Sequence, residues 1–275
     1  NDIASYISQA GLSTGVVLTN VLINGGVPTP GDGAVEVCLD IEMAISMAPG
    51  LDKIIVYEGP NGSTAWSTIL SRMADDNLAR QLSCSWGGGG PDASSEQIFK
   101  QMAAQGQSFF NASGDSDAFT GSVPFPSDST NITQVGGTTL TTTGAGGSYV
   151  SETAWNWGNG TGSSGGSSTY YSMPGWQSGM SMAANGGSTT RRNIPDVALT
   201  GDNVWVVYTN GATGTFGGTS CAAPLWAGFM ALVNEQLVTV SGIPASSVGF
   251  INPAIYEIAG ESIYNSAFHD TTSSE

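Results

Sequence analysis

The chain has 275 residues, 39 of them glycine, and a net charge of −16 from 22 acidic and six basic side chains. The length suits one large α/β domain or two small ones, and the charge excludes a nucleic-acid partner, because a phosphate backbone needs a basic footprint. No run reaches the roughly 20 apolar residues that span a bilayer, and the abundance of Gly, Ser, Thr and Asn with only 10% charged residues suits an acidic extracellular medium.

The opening N-D-I-A-S-Y-I-S-Q-A-G-L has the pattern of an N-capped amphipathic helix. β-branched runs predict strands over 16–22 and 53–57, and helical spacing between them covers 34–47 and stops at Pro49-Gly50. A helix over 64–76 comes next, then a short strand over 81–85 that halts at W-G-G-G-G. A helix over 94–105 and a strand over 108–112, ending in S-G-D-S-D, complete the first half. This β-α-β-α rhythm predicts a mostly parallel sheet with helices on both faces. Ligand sites in such sheets lie beyond the carboxyl ends of the strands, where Trp86-Gly87 and Gly114-Asp115 fall.

From 148 to 187 the composition shifts to Gly, Ser, Thr and aromatics. Trp155, Trp157, Tyr170, Tyr171 and Trp176 punctuate this part, which reads as an ordered surface loop rather than a linker. N-I-P-D-V-A-L and V-W-V-V-Y read as strands leading into F-G-G-T-S-C-A-A-P-L-W, and the apolar run 221–233 predicts a buried helix. No internal repeat is visible. Cys38, Cys84 and Cys221 make no disulfide framework and read as buried small hydrophobes. No Cys/His spacing suits zinc. Sequons stand at Asn61, Asn111, Asn131 and Asn159.

Ser220 sits after Gly-Gly-Thr at the mouth of the apolar run, as an exposed nucleophile would. A serine nucleophile needs a general base, a group that orients that base, and donors for the oxyanion. The sole histidine, His269, lies in a polar tail; a Ser-His-Asp triad through it is one option. Carboxylates are the other. Glu36 and Asp40 are four residues apart in a helix of apolar neighbours, so they share a face and repel unless they share a proton or a hydrogen bond. Glu42 falls on another face and reads as a surface or capping charge; the alternative is that all three acids are merely solvated. Asp115, in S-G-D-S past a predicted strand, is either a turn residue or an acid aimed at a developing oxyanion. The second role requires a protonated carboxyl, since an ionised one has no donor.

Taken together, E-V-C-L-D-I-E-M-A, S-C-S-W-G-G, S-G-D-S, F-P-S-D-S, V-G-G-T-T-L, S-E-T-A-W-N, R-N-I-P-D-V-A, G-G-T-S-C-A-A-P-L-W-A-G, I-N-P-A-I-Y and F-H-D-T-T occur in one order over nearly the whole chain. This set resembles the sedolisins, the serine-carboxyl peptidases, and within them the kumamolisin-like members. G-T-S-x-x-x-P alone is shared with subtilisins; E-x-x-x-D, S-G-D and G-G-T-S together are far more specific. The resemblance implies an α/β, subtilisin-like fold and acid peptidase activity. It implies that Ser220 is the nucleophile, Glu36 its general base and acid, Asp40 the group that orients Glu36, and Asp115 the oxyanion-hole acid beside the Ser220 N–H.

The same resemblance implies that Ser85, Trp86 and Gly87 form an edge for the substrate backbone, and that Gly165, Gly166 and Ser168 line the pocket for the residue before the cut. Some relatives carry an acid before the F-P dipeptide; Pro124 stands there in this chain. Family members bind calcium near the C-terminus, which implies Asp270 and Thr271 as first ligands. The G-x-G-x-D-like segment that supplies the rest is not in the sequence, so this chain is expected to bind calcium poorly. The resemblance further implies an inhibitory prosegment in the precursor, a polypeptide substrate, a monomer, and a secreted or lysosome-like acidic location. Residues 1–275 then read as one catalytic domain trimmed at both ends. Alternatives are a catalytically inactive relative serving as a binding module, and, from the Gly/Ser/Thr/Trp-rich middle, an extracellular sugar-binding protein.

Overall fold

Alternating β-branched and amphipathic segments fold over the first half of the chain much as their periodicity predicts. The computed structural model describes residues 1–26, 31, 33–242 and 247–271. Helix α1 (Asp2–Gln9) precedes β1 (Val17–Leu22), α2 (Ala34–Met47), β2 (Lys53–Glu58), α3 (Ser63–Asp76), β3 (Gln81–Cys84), α4 (Ala93–Ala104) and β4 (Ser108–Ala112). Sequence chemistry sets the ends of these helices. Asp92 caps α4 by accepting from the N–H groups of Ser94 and Ser95, both at 3.1 Å. Asn77 ends α3 in the left-handed conformation that asparagine tolerates. Asn1 stands at the cap position of α1 without a capping hydrogen bond, contrary to the expectation from its sequence.

The second half contains β5 (Ser116–Ala118), β6 (Thr133–Thr142), β7 (Tyr149–Ala154), β8 (Asn156–Gly158), β9 (Thr161–Ser172), β10 (Arg191–Ile194), β11 (Val197–Thr200), β12 (Val204–Tyr208) and β13 (Ala212–Phe216). Helices α5 (Thr219–Ser241), α6 (Asn252–Ala259) and α7 (Tyr264–Ala267) close it. The stretch expected to be a surface loop is largely β7, β8 and β9. Its glycines are strand residues because their neighbours come too close for a side chain. A Cβ at Gly165 would lie 3.1 Å from the Ile194 carbonyl oxygen, and one at Gly162 would lie 2.9 Å from that of Trp155.

Strands β3, β4, β6 and β11 form a parallel ladder in the order β11-β6-β4-β3, with β7 added antiparallel on β6. Strands β1 and β2 form a separate parallel pair, so the expected central sheet is in two pieces, with no ladder between β2 and β3. The helices cover both faces. Phe109 packs with Leu70, Phe99 and Met102 from α3 and α4, while its neighbour Phe110 faces Ala222, Ala223 and Trp226 of α5. The strand period of two sends adjacent phenylalanines to opposite cores. Each buried ring contributes about 1.5–3 kcal/mol by leaving water.

Helix α5 lies beneath the ladder and against α2. Small residues allow this approach: a Cβ on Gly228 would sit 2.9 Å from Met47 Cβ and 3.1 Å from the Ala44 carbonyl oxygen. Cys221 is buried, whereas Cys38 and Cys84 are only half-buried, and all three are free thiols. The Asn111 sequon is unusable in the fold, because its side chain is buried and bonded to the Ala112 carbonyl. Among the described residues no helix is long and apolar enough to cross a membrane.

Candidate active site

Ser220 occupies the first turn of α5, where backbone N–H groups have no intrahelical acceptor and point outward. Pro224 lies four residues on and has no N–H, so the Ser220 carbonyl lacks its helical donor. The Ser85 hydroxyl, at the end of β3, lies 3.5 Å from that carbonyl. The sequence G-T-S-x-x-x-P thus leaves both ends of the Ser220 peptide unit open to a neighbouring strand.

The Ser85 hydroxyl bonds Asp40 Oδ1 at 2.6 Å, tying β3 to α2. Asp40 and Glu36 are one turn apart on α2. Burial pushes the Asp40 carboxyl well above the usual range, the Glu36 charge pushes it further, and the Ser85 hydroxyl opposes both. Glu36 is also raised, mainly by burial and then by the Asp115 charge, against the pull of the Ser220 and Ser85 hydroxyls. Its Oε1 is buried with no hydrogen-bond partner. Burial thus favours the protonated form of both carboxyls, and Ser85, not Glu36, takes Asp40 Oδ1.

Asp115 follows Gly114, whose φ of +120° turns the chain away from the end of β4. Its Oδ1 accepts from the Thr219 N–H and from the Thr219 hydroxyl, both at 2.8 Å. Its Oδ2 lies over Gly218, 3.0 Å from where a Cβ would stand, so only glycine leaves room for the carboxyl there. Ser220, Asp115, Ser85, Trp86 and Gly87 line one cavity of about 280 Å³, walled on the far side by Phe119, Pro124 and Ser127.

Other expected site residues lie elsewhere. Gly165 bonds the Phe119 N–H through its carbonyl at 2.8 Å, and Gly166 backs onto Phe119, so both support the cavity wall without lining it. Ser168 is buried; its hydroxyl bonds Asp128 at 2.6 Å and accepts from the N–H groups of Tyr170 and Tyr171. It is a scaffold residue at that position. Phe119, Ser127 and Thr219 line the cavity instead, and sequence reasoning missed them. The signal for Thr219 was its place beside Ser220; no comparable signal marked the other two.

One further reading is corrected, and the histidine option finds no support in the geometry. Glu42 is not a surface charge: it is fully buried, its Oε2 accepts from the Val207 N–H at 3.1 Å, and burial raises its pKa to about 8. His269 is exposed and stacks on Tyr149, ring centres 3.9 Å apart, outside the cavity.

Asp270 is exposed and accepts from the Tyr264 hydroxyl at 3.3 Å. Thr271 is half-buried beside it. Among the described residues no three His, Cys, Asp or Glu side chains converge. Calcium takes six to eight oxygens, and among the described residues no cluster of acidic side chains joins the Asp270 carboxyl to build such a shell.

The subtilase family matches residues 28–242. Kumamolisin from Bacillus sp. (strain MN-32) is 34% identical, over 98% of this chain and 50% of its own length. Sedolisin from Pseudomonas sp. (strain 101) is 34% identical, over 82% of this chain and 42% of its own. The chain thus spans about half or less of these curated relatives. A solved structure of Pseudomonas sedolisin, a serine-carboxyl proteinase complexed with pseudo-iodotyrostatin, superposes with a TM-score of 0.81 at 28% identity, covering 100% of this chain and 79% of that one. On sequence, fold and the arrangement around Ser220, the chain belongs to the subtilase family, as a kumamolisin-like sedolisin.

Proposed function

We propose that this chain is the catalytic domain of an acid-active serine-carboxyl peptidase that cuts peptide bonds through an acyl-enzyme on Ser220. The observation that carries the reading is that Ser220 and Asp115 line one cavity and the Ser220 hydroxyl bonds the Glu36 carboxyl, while the single histidine lies outside that cavity. In the first step Ser220 Oγ bonds to the scissile carbonyl carbon and its proton passes to Glu36. Asp40, tied to β3 by the Ser85 hydroxyl, holds Glu36 in place, and burial helps Glu36 keep the proton. The oxyanion accepts from the Ser220 N–H and from a protonated Asp115 through Oδ2. Glu36 then gives its proton to the leaving amine as the C–N bond breaks. Water repeats the sequence on the ester, with Glu36 again accepting and returning a proton.

Strand β3 is the free edge of its ladder, so a substrate backbone pairs beside Ser85-Trp86-Gly87 as an added strand. Phe119 and Pro124 give the cavity an apolar wall, which favours an apolar side chain before the cut. We assign the protein to a secreted or lysosome-like acidic setting, with polypeptide as substrate and an inhibitory prosegment in its precursor. The buried Glu36 Oε1 without a hydrogen-bond partner favours a second reading, a sedolisin-like scaffold that binds peptide without cutting it.

The test is hydrolysis of a denatured protein at about pH 4, in the acid range in which the reading places activity. The chain should cut, Ser220→Ala should not, and Glu36→Gln should lose at least about 100-fold in kcat. Mass spectrometry of the acid-quenched chain should find an acyl group on Ser220. Cleavage that survives Ser220→Ala would overturn the assignment, and peptide binding without cleavage would favour the second reading.

A further inference from the structure

We infer that Thr219 is a positioning residue whose hydroxyl fixes which oxygen of Asp115 carries the acid proton. The inference rests on the reading of Asp115 as an oxyanion donor. A threonine hydroxyl has one proton to give and lone pairs to receive. The Gly114 N–H points at Thr219 Oγ1 from 3.0 Å, which uses it as an acceptor. Its own proton is then committed to Asp115 Oδ1 at 2.8 Å. The Thr219 N–H reaches the same oxygen at 2.8 Å. Oδ1 therefore receives two donors, and a proton placed on it would oppose both.

The acid proton is left to Oδ2, the oxygen beside Gly218. An acid that carried its proton on Oδ1 would present a lone pair to the oxyanion and repel it. The Thr219 side chain is well placed for this task. It is buried to 1% exposure, so solvent does not compete for its hydroxyl. Its methyl group packs toward Gly137, 3.6 Å from where a Cβ would stand, and a β-branched side chain held in this way keeps one rotamer. Thr219 acts through Asp115 and touches no reacting atom in the proposed mechanism.

The test compares Thr219→Val, which keeps the shape and loses the hydroxyl, with Thr219→Ser, which keeps the hydroxyl. Three quantities are read in the 275-residue chain: kcat, KM, and inhibition by a peptide aldehyde, whose hemiacetal oxygen occupies the oxyanion position. Thr219→Val should lower kcat and aldehyde affinity by about 10- to 100-fold, less than outright loss of an oxyanion donor, with KM within about twofold. Thr219→Ser should recover most of both. Where valine disturbs packing, Thr219→Ala set against Thr219→Ser carries the same comparison.

Unchanged kcat and aldehyde affinity in Thr219→Val would overturn the inference, provided Asp115→Ala loses both; the Asp115 reading would then stand. If Asp115→Ala also left both unchanged, that reading itself would fall. A loss of kcat shared equally by KM, or one that serine does not recover, would make Thr219 a scaffold residue and likewise overturn the inference.

Discussion

Glu42 and Ser168 show what a single residue owes to distant chain. Spacing on α2 placed Glu42 correctly on a different face from Glu36 and Asp40. It gave no sign that β12, 165 residues away, would cover that face and offer the Val207 N–H. A carboxyl raised to about 8 from an ordinary 4.5 binds its proton more tightly in the folded chain than in the unfolded one. Its contribution to stability is therefore complete below about pH 4.5 and is lost as pH rises toward 8, at up to about 1.4 kcal/mol per pH unit. Glu42→Gln removes that titration. Thermal melts from pH 5 to 8 should show the parent falling more steeply than Glu42→Gln; parallel curves would contradict the assignment. The resemblance implies a pocket role for Ser168, whereas its hydroxyl turns to Asp128. Motif position fixed the backbone segment and not the direction of the hydroxyl.

At the scale of elements, the site depends on how α2 and α5 approach each other, because one carries Glu36 and the other Ser220. Gly228 sets that distance, since Met47 and the Ala44 carbonyl leave no room for a Cβ. Gly228→Val should destabilise the chain by about 1–3 kcal/mol through overpacking, measured by urea unfolding. It should also lower kcat, because the helices part near the nucleophile. Wild-type stability in this variant would show that the contact relaxes freely. Helices α1 to α5 and strands β1 to β4 are legible because their periodicities are local, whereas the short α6 and α7 carry no such signal. Strand β9 was not, since its T-G-S-S-G-G-S-S reads as loop composition. It is a strand only because Trp155, Asp117, Ile194 and Phe119 crowd its glycines, and those contacts come from elsewhere in the chain. The split between β2 and β3 was equally invisible, because strand order is a property of tertiary pairing.

For the molecule as a whole, the raised carboxyls point in one direction. Glu36, Asp40, Glu42 and Asp128 all owe their shifts first to burial, so the fold favours their protonated forms. Asp76 and Asp92 are lowered by hydrogen bonds to Arg72 and Ser95, but both are only half-buried, where screening leaves them little weight. Each raised group holds its full contribution in acid and loses it as pH climbs through its folded value. The melting temperature should therefore be higher near about pH 5 than near about pH 8; the reverse order would mean that these groups are not buried as described. The net charge of −16 acts in the same sense, because self-repulsion among carboxylates grows as they ionise.

The carboxylate mechanism itself is tested most directly by kcat/KM for a peptide substrate across a pH series, for the chain and for His269→Ala. Activity should be confined to acid, below about pH 5, and should be the same in both. Activity that rises through neutrality and disappears with His269→Ala would place an imidazole, not Glu36, opposite Ser220.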